Sequence, residues 1–410
     1  MDLSQVNRDV IQKAAKAYGT PLYLYDLDRM QANVNLLREH CASFKLRYAV
    51  KTNPNPHIIE QMKQWVDSMD VSSSGEVTHV CKQGWQGDDI AFTGPAKDRK
   101  DLEIALDNQV KSIVIESMDE ARVLNYLAAQ RNETARILIR IAPALAEKNF
   151  GIRLAGRPTQ FGIDEDKLED SFKEIRTLSH LALEGFHIYS GSQCLDDESL
   201  AEHFSNMWSI FKQTMALWDG TVNELVFGAG MGIPYHDNES ELSLSHLKPA
   251  ITAIEQDLAA NYSGIECFIE LGRFIVGTGG LFITEVVRVK ESRGSNIAIC
   301  NGGMNHNLGA CGHLGGVSHR HYSMVNASNN SVDDNDVERY RIVGPLCTAI
   351  DTLAHRIELP KIKAGHLIAV GCSGSYGPSA SPLLFISHGL PQEVAFRSGQ
   401  SQFIDMNWIS

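Results

Sequence analysis

Lys51 has the position that points most directly to chemistry. It follows an apolar, strand-like run at residues 46–50, and turn-forming residues occupy positions 53–56. A lysine held at the end of a strand by a rigid turn can become nucleophilic enough to form a Schiff base with an aldehyde. A solvated strand end is the alternative interpretation, so the surrounding elements have to decide between the two.

Further polar side chains lie in or directly after other strand-like runs. They are Asp70, Glu116, Arg140, His187 and Glu270. Each has an ordinary structural explanation, because an aspartate can cap a helix, an arginine can form a salt bridge and a histidine can be satisfied within a core. The carboxyl ends of parallel barrel strands meet at one face, so their joint occurrence favours an active site there.

Short apolar runs alternate with helix-like stretches from about residue 45 onwards. The runs are residues 46–50, 68–72, 90–93, 112–116, 137–141, 183–188, 224–228 and 265–270. Runs this short and apolar are typical of strands that are covered on both faces. The pattern predicts a TIM (β/α)8 barrel over residues 27–280, with a doubly wound open sheet as the main alternative. Ser117, followed three residues later by Glu120, predicts a capping box at one of the helices.

The pattern changes after residue 280. Strand-like runs separated by turns, with little helical periodicity, predict a C-terminal, mostly antiparallel β domain over residues 281–410. Residues 22–25 also have a strand pattern, so residues 1–26 are expected to contribute one strand to this domain.

Composition limits the classes of function. The formal net charge is -13 and no basic stretch offsets it, which argues against nucleic-acid binding. No apolar run approaches the roughly 20 residues of a membrane span, and the N-terminal segment lacks the apolar core of a signal peptide. The eight cysteines include no CxxC pair, so reduced thiols in a cytoplasm are expected. No metal site is predicted.

A glycine-rich turn, GAGMG at residues 228–232, follows the seventh predicted strand. Such a turn lets backbone N–H groups approach an anion, and glycine adopts the positive φ angles that this requires. Ser192 and Arg273 could add a hydroxyl and a guanidinium to the same anion. A phosphate site at the last strands of a barrel is a recurrent arrangement. Together with Lys51, it indicates pyridoxal 5′-phosphate as the cofactor.

Glu270 indicates the type of reaction. A carboxylate that faces the pyridine nitrogen keeps this nitrogen protonated, and the ring then withdraws electrons strongly. An arginine at this position would suit a racemase. The glutamate therefore favours decarboxylation over alanine-racemase-like chemistry.

In the order of its motifs, the chain resembles the fold-type III pyridoxal-phosphate decarboxylases, which include diaminopimelate and ornithine decarboxylases. The motifs are YAVKTNP at 48–54, DVSSSGE at 70–76, FTGPAK at 92–97, QFGID at 160–164, GFHIYSGSQ at 185–193, GAGMGIPY at 228–235, ELGR at 270–273, GPLCTAID at 344–351 and SGSYGPSASP at 373–382. The resemblance runs nearly end to end and implies α-decarboxylation of an L-amino acid.

The resemblance also implies roles for individual residues. Lys51 would carry the cofactor, Cys347 would return a proton after carbon dioxide leaves, and Asp351 would help to shape the substrate pocket. The expected cofactor-binding residues are Lys51, Asp70, Arg140, His187, Tyr189, Ser192, Gly230, Met231, Gly232, Glu270, Arg273 and Tyr376. A homodimer with a shared active site is implied, in which the GPLC segment reaches over from the partner.

Departures from the family pattern bear on the substrate. Tyr189 stands where the family usually stacks a histidine on the cofactor ring, and an aromatic ring can still stack. The arginine-proline pair that diaminopimelate decarboxylases carry after GGMN is absent from residues 305–308, and the acidic neighbour of Cys347 is lost. Both losses argue against free diaminopimelate as the substrate.

Other segments resemble a specialised branch of the family, which includes exosortase-associated, carrier-protein-linked and siderophore-pathway decarboxylases. These enzymes act on amino acids already joined to a larger group, so a citryl or carrier-protein conjugate is the preferred substrate. Loop residues that could meet a distal carboxylate are His313, His319, Arg320 and His321. One alternative is a diaminopimelate decarboxylase of lysine biosynthesis. Another is an inactive cofactor-binding homologue, which the intact Lys51, Glu270 and Cys347 disfavour.

Overall fold

The computed structural model describes residues 7–145, 149–312, 320–328, 337–400 and 402–409. The chain divides into two compact units. The barrel unit comprises Val34–Gly232 and Leu242–Gly272, and the β unit comprises Met1–Asn33, Ile233–Glu241 and Arg273–Ser410. The domain boundaries 27–280 and 281–410 stay a prediction. The division into units differs from them at residues 27–33, 233–241 and 273–280, which belong to the β unit.

The N-terminal part consists of α1 (Arg8–Tyr18), β1 (Leu22–Asp26) and α2 (Leu27–His40). The side-chain oxygen of Asn7 accepts hydrogen bonds from the backbone N–H groups of Asp9 and Val10, which caps α1. This arrangement satisfies donors that the first helical turn would otherwise leave without partners.

A closed barrel of parallel strands forms the core of the barrel unit. Its elements are β2 (Lys45–Ala49), α3 (Pro56–Trp65), β3 (Ser68–Val71), α4 (Ser74–Lys82), β4 (Ile90–Phe92), α5 (Arg99–Asp107), β5 (Ser112–Ile115), α6 (Met118–Gln130), β6 (Ala135–Ala142), β7 (Phe150–Arg153), β8 (Ile163–Asp164), α7 (Leu168–Ile175), β9 (Leu181–Ile188), β10 (Gly191–Cys194), α8 (Asp197–Trp218), β11 (Glu224–Gly228), α9 (Leu247–Asn261) and β12 (Glu266–Leu271).

The barrel strands follow the order β2-β3-β4-β5-β6-β9-β11-β12, and β12 pairs with β2 to close the barrel. β7 and β10 form a separate two-stranded ribbon, and β8 pairs with the end of β6. Every predicted barrel strand has its counterpart, which confirms the TIM-barrel prediction.

A buried ion pair lies inside the barrel, near the amino ends of the strands. Arg47 and Glu224 are 2.9 Å apart, and their side chains are only 1% and 3% exposed. Arg47 also donates to the hydroxyl of Ser68 at 3.0 Å, and Ser112 donates to Glu224 at 3.2 Å. The guanidinium lies 4.1 Å from the centre of the Phe268 ring. These contacts compensate two charges that would otherwise be costly to bury.

Antiparallel pairing dominates the sheet of the β unit, as predicted. The elements that follow the barrel are α10 (Arg273–Val276), β13 (Gly280–Ser292), β14 (Ser295–Cys300), β15 (Met324–Asn326), β16 (Val337–Val343), β17 (Thr352–Pro360), β18 (Leu367–Val370), β19 (Gln392–Phe396) and β20 (Ile404–Asp405). The strand order is β17-β16-β14-β13-β1-β19-β20, and β18 pairs with β13 and β15. β1 thus lies between β13 and β19. Within the described ranges, no helix has the length and apolar character needed to cross a membrane.

Replacing one partner of the buried pair should destabilise the protein strongly. Arg47→Met strands the Glu224 carboxylate in the barrel interior, so the free energy of unfolding should fall by about 3–5 kcal/mol. Urea denaturation would measure this change. Arg47→Met/Glu224→Gln should recover part of the loss. Lys173→Met, which breaks an exposed pair with Glu169, should have a much smaller effect. Equal losses of stability in Arg47→Met and Lys173→Met would contradict the conclusion that the buried Arg47–Glu224 pair matters more than the exposed pair.

Candidate active site

Lys51 lies in a short 3-10 turn, Val50–Thr52, that directly follows β2. The Thr52 hydroxyl donates back to the Ala49 carbonyl oxygen at 2.8 Å, which holds the turn against the end of the strand. The Lys51 side chain is exposed, and its ammonium lies 5.8 Å from the centre of the Tyr189 ring. A fixed backbone therefore presents an accessible lysine at the carboxyl end of the barrel.

Glu270 is buried near the carboxyl end of β12. Its Oε2 lies 3.3 Å from Nε2 of His187, within ion-pair distance. The two atoms are not aligned for a hydrogen bond, so each retains capacity for another partner. Burial raises the pKa of Glu270, but His187, Lys51 and Arg47 outweigh this effect, and the net pKa lies below its ordinary value. Glu270 is consequently ionised at neutral pH.

Asp70, in β3, is a second buried carboxyl group. The Thr93 hydroxyl donates to its Oδ1 at 2.5 Å. Burial, together with the charge of Glu270, raises the pKa of Asp70 above its ordinary value. The environment thus pushes the pKa values of two carboxyl groups apart, which is a common feature of catalytic sites.

Arg140, in β6, forms a buried ion pair with Glu116 at 3.0 Å. Glu116 also accepts hydrogen bonds from the backbone N–H groups of Gly94 at 2.9 Å and Gly162 at 3.0 Å. Arg140 donates in addition to the carbonyl oxygen of Tyr189 at 3.4 Å. The pair therefore links three segments at the carboxyl end of the barrel.

The glycine-rich turn is hydrogen-bonded to β10, the strand that carries Ser192. The Cys194 N–H donates to the Gly230 carbonyl oxygen at 3.0 Å, and the Gly232 N–H donates to the Cys194 carbonyl oxygen at 2.8 Å. Gly230 has a φ of +66°, and a Cβ there would lie 2.5 Å from the Phe150 ring. Glycine is therefore required at this position by both backbone conformation and packing.

Several buried polar atoms at this end of the barrel have no hydrogen-bond partner among the described residues. They are Oδ2 of Asp70, both ring nitrogens of His187, Oγ of Ser190 and Oε2 of Glu270. Buried polar groups are normally satisfied, so such a cluster is typical of a site that binds a polar ligand. A pyridoxal group, with its ring nitrogen, hydroxyl and phosphate, fits this set. When bound, it supplies an electron sink for a carbanion.

Four of the predicted site residues, Arg273, Cys347, Asp351 and Tyr376, belong to the β unit. Arg273 donates to the Tyr235 hydroxyl, and its guanidinium carbon lies 4.9 Å from the centre of the Tyr376 ring. Tyr376 has a φ of +54°, a conformation that is uncommon outside glycine. The tyrosine is thus held in a strained backbone, as occurs often at ligand sites.

Cys347 is exposed in the loop between β16 and β17. The neighbouring Asp351 is buried, and both of its carboxylate oxygens accept backbone hydrogen bonds. One bond comes from Met304 at 2.7 Å and the other from Leu346 at 2.8 Å. Asp351 therefore fixes the backbone beside Cys347 and leaves the thiol accessible.

The loop expected to meet a distal carboxylate is only partly described. His313 and His319 lie outside the described residues. Arg320 lies 3.3 Å from Glu239, and the His321 ring is hydrogen-bonded to the backbone of the following residue at 2.9 Å. Arg320 and His321 therefore have partners within the protein.

Sequence reasoning missed Glu76 and Thr93 as neighbours of the site. Glu76 accepts the Ser72 N–H at 2.7 Å. Burial raises the pKa of Glu76, and the nearby Lys51 partly opposes this shift. Both residues lie within motifs, DVSSSGE and FTGPAK, so their position in these segments was the signal that could have identified them. Within the described ranges, no group of three or more His, Cys, Asp or Glu side chains could hold a metal ion.

A family model described as "Pyridoxal-dependent decarboxylase, pyridoxal binding domain" matches residues 27–277. The barrel, the lysine at its first strand and this match define a fold-type III enzyme that uses pyridoxal 5′-phosphate. The chain belongs to the pyridoxal-dependent decarboxylases, which are carboxy-lyases.

Three relatives illustrate the range of this family. The L-glutamyl-[BtrI acyl-carrier protein] decarboxylase of Niallia circulans is 32% identical over 98% of this chain and 94% of its own length. The 2-[(L-alanin-3-ylcarbamoyl)methyl]-2-hydroxybutanedioate decarboxylase of Staphylococcus aureus is 28% identical over 93% of this chain and 96% of its own. The structure of Helicobacter pylori diaminopimelate decarboxylase complexed with L-lysine has a TM-score of 0.84 and 25% identity. It covers 97% of this chain and 95% of that chain.

Asp70→Asn should change how stability depends on pH. Because the folded-state pKa of Asp70 is raised, the folded state binds more protons than the unfolded state. The contribution of Asp70 is therefore fully present below about pH 4 and is lost as the pH rises through the raised pKa. Asparagine does not ionise, so the free energy of unfolding of the cofactor-free variant should decrease less as the pH rises. Denaturation at several pH values would measure it.

Asp119→Asn serves as the control, because the Asp119 side chain is 91% exposed. Its pH profile should match that of the unchanged protein. An unchanged profile for Asp70→Asn would show that the Asp70 pKa is not raised.

Proposed function

We propose that this enzyme decarboxylates an L-amino acid that is conjugated to a larger group. The observation that carries the proposal lies in the loop of Cys347. Asp351 is the one carboxylate of residues 344–351; it is buried, and each of its oxygens accepts a hydrogen bond from a backbone N–H that holds it in place. It is thus poorly suited to pair with the distal ammonium of a free diamino acid.

The names of two relatives agree with a conjugated substrate. One acts on a glutamyl group on a carrier protein, and the other on a 2-hydroxybutanedioate conjugate. Both comparisons cover more than nine-tenths of this chain. The residues after the GGMN motif add a second argument. His306 is hydrogen-bonded to the Gly389 carbonyl at 2.8 Å, and Asn307 donates to the Ser373 hydroxyl at 3.1 Å. Nε2 of His306 and the side-chain amide of Asn307 therefore already have partners within the protein.

Diaminopimelate decarboxylation is the second candidate. A relative with that name, from Aquifex aeolicus, is 28% identical over 90% of this chain. The same site chemistry would serve both reactions, because the difference lies in how the distal end of the substrate is held.

We assign the following roles to the site residues. Lys51 carries the cofactor, the ionised Glu270 accepts a hydrogen bond from the protonated pyridine nitrogen, and Tyr189 stacks on the ring. Asp70, Arg140 and His187 support this part of the site. Ser192, Arg273, Tyr376 and the N–H groups of Gly230 and Met231 hold the phosphate. The N–H of Gly232 already has an acceptor, so this residue contributes through its close approach to Cys194, where a Cβ would lie 2.8 Å from the carbonyl oxygen.

Cys347 delivers a proton to the substrate carbon after carbon dioxide leaves. Its exposed position in a loop that Asp351 anchors suits this role, since a proton donor has to reach the reacting carbon. We further propose a homodimer in which this loop serves the partner's barrel, and a cytoplasmic location. All eight cysteines are free, in keeping with a reducing compartment.

Cys347→Ala should bind the cofactor normally and lose most of its turnover, because the proton donor is missing. Cofactor absorbance and carbon dioxide release would separate the two effects. Full-rate decarboxylation by this variant would exclude Cys347 as the donor.

Mixing the Cys347→Ala variant with the inactive Lys51→Ala variant should restore some activity through hybrid dimers under conditions of subunit exchange. Ser379→Ala in place of Cys347→Ala is the control, since that mixture should show additive activity only.

A substrate panel, followed by mass spectrometry for loss of carbon dioxide, should distinguish the candidate functions. It would contain free diaminopimelate, ornithine, lysine and 2,3-diaminopropionate, together with citryl conjugates and a glutamyl carrier protein. Turnover of a conjugate, with little or none of the free amino acids, is expected. Efficient turnover of free diaminopimelate would instead establish the second candidate.

A further inference from the structure

Lys97 is a buried lysine whose ammonium lies among oxygen atoms of the protein. Its side chain is 1% exposed, and Nζ lies 2.7 Å from Oε1 of Glu120. Nζ also donates to the carbonyl oxygens of Gly94 at 2.6 Å and Val114 at 2.8 Å. Nζ therefore makes two hydrogen bonds to backbone carbonyl oxygens and one close ion pair with a carboxylate. Burial of this ion pair costs free energy, because both charges lose their hydration.

Glu120 connects this lysine to the end of β5. Ser117 accepts the Glu120 N–H at 3.2 Å, as the predicted capping box requires. The carboxylate, however, accepts the N–H of Glu116 at 2.9 Å, which is one residue before the cap. Its other oxygen faces Lys97. The ion pair therefore holds the backbone of Glu116 in place, and Glu116 is the partner of Arg140.

Gly94 is held from both sides by this network. Its carbonyl oxygen accepts from Lys97, while its N–H donates to the Glu116 side chain. The preceding residue, Thr93, donates to Asp70. The position of this loop therefore decides whether the hydroxyl of Thr93 reaches Asp70.

On its other side, the network extends through Arg140 to the ring that faces Lys51. Arg140 donates to the Tyr189 carbonyl, and its guanidinium carbon lies 5.9 Å from the centre of the Tyr189 ring. Lys51 lies on the same ring, at 5.8 Å. Two adjacent buried ion pairs thus lead from α6 to Tyr189, the residue proposed to stack on the cofactor.

We propose that Lys97 is a positioning residue, which acts through Glu120 and Glu116 to orient Tyr189 and to keep Thr93 on Asp70. The proposal rests on the proposed placement of the cofactor beside Tyr189, and it is independent of the identity of the substrate. Lys97 touches neither substrate nor cofactor. It fixes the loop and the ion pair that hold the groups around the ring.

Lys97→Met in the full-length holoenzyme tests this assignment. Methionine fills a similar volume but leaves the Glu120 carboxylate buried without its partner. The circular dichroism band of the bound cofactor should change, since this band reports the orientation of groups around the ring. Turnover should fall by up to about 100-fold, as expected when a distant substitution misplaces reacting groups by about 1 Å.

Hydrogen exchange supplies a readout that does not depend on activity. The amides of Gly94 and Gly162 both donate to Glu116, so both should exchange faster in Lys97→Met. Lys97→Met/Glu120→Gln should restore much of the native cofactor band. The amide oxygen that Glu120→Gln introduces can still accept the Glu116 N–H, and no carboxylate is left without its lysine partner.

Arg38→Met is the matched control. Arg38 forms an ion pair with Asp67 at 2.8 Å, directly before β3 and so at the opposite end of the strands. Its loss should alter neither the cofactor band nor exchange at Gly94 and Gly162. A folded Lys97→Met protein with native band and native exchange would overturn the proposal.

Tyr189→Ala separates this inference from the proposed function. If Tyr189→Ala changes the cofactor band and Lys97→Met does not, the positioning role is wrong while the cofactor placement stands. If neither variant changes the band, the placement beside Tyr189 fails and the inference fails with it. If Lys97→Met does not fold, Glu120→Gln should give a smaller change in the same direction, and an unchanged band in that variant would likewise overturn the role.

Discussion

The pairing of β12 with β2 is the constraint on which the candidate site depends. Its register sets Glu270 opposite Arg47 and Leu271 opposite Tyr48. On the other side of β2, Ala49 lies opposite Asp70. Lys51 therefore follows a strand whose two neighbours each carry a buried carboxyl group. A shift of one residue in either pairing would turn these side chains to the opposite face. The closure of the barrel thus sets both the fold and the chemistry.

Charge compensation within the barrel unit takes two forms. The Arg47–Glu224, Lys97–Glu120 and Arg140–Glu116 pairs neutralise charges within the protein. Asp70 and Glu270 lie at the candidate site, and each keeps one oxygen without a hydrogen-bond partner among the described residues. Because burial alone favours the neutral form of a carboxyl group, an ionised Glu270 needs cationic neighbours. Two of these neighbours, His187 and Lys51, are themselves residues of the candidate site.

The sequence was most informative where periodicity and burial agree. Buried barrel strands are short apolar runs, and their positions could be predicted closely. β17, at the edge of its sheet, gives a weaker signal, because its exposed His355, Arg356 and Glu358 interrupt the apolar pattern. The Ser117 capping box was predicted, but the turn of the Glu120 carboxylate to Glu116 and Lys97 depends on tertiary contacts. Such contacts join segments that sequence patterns treat separately, so residues like Lys97 could not be identified in advance.

Which substrate the enzyme can bind depends on which polar groups are already hydrogen-bonded within the protein. If Asp351 turned towards a distal ammonium, the N–H groups of Met304 and Leu346 would lose their acceptor. An unsatisfied buried donor costs about 1–3 kcal/mol, which would offset much of the gain from a new ion pair. A Cβ on Gly303 would lie 2.2 Å from Asp351 Oδ1, so the sequence here is fitted closely to the present position of this carboxylate. An enzyme in which this carboxylate anchors the Cys347 loop has to recognise the distal part of its substrate with other groups. A larger, conjugated substrate offers those additional points of contact.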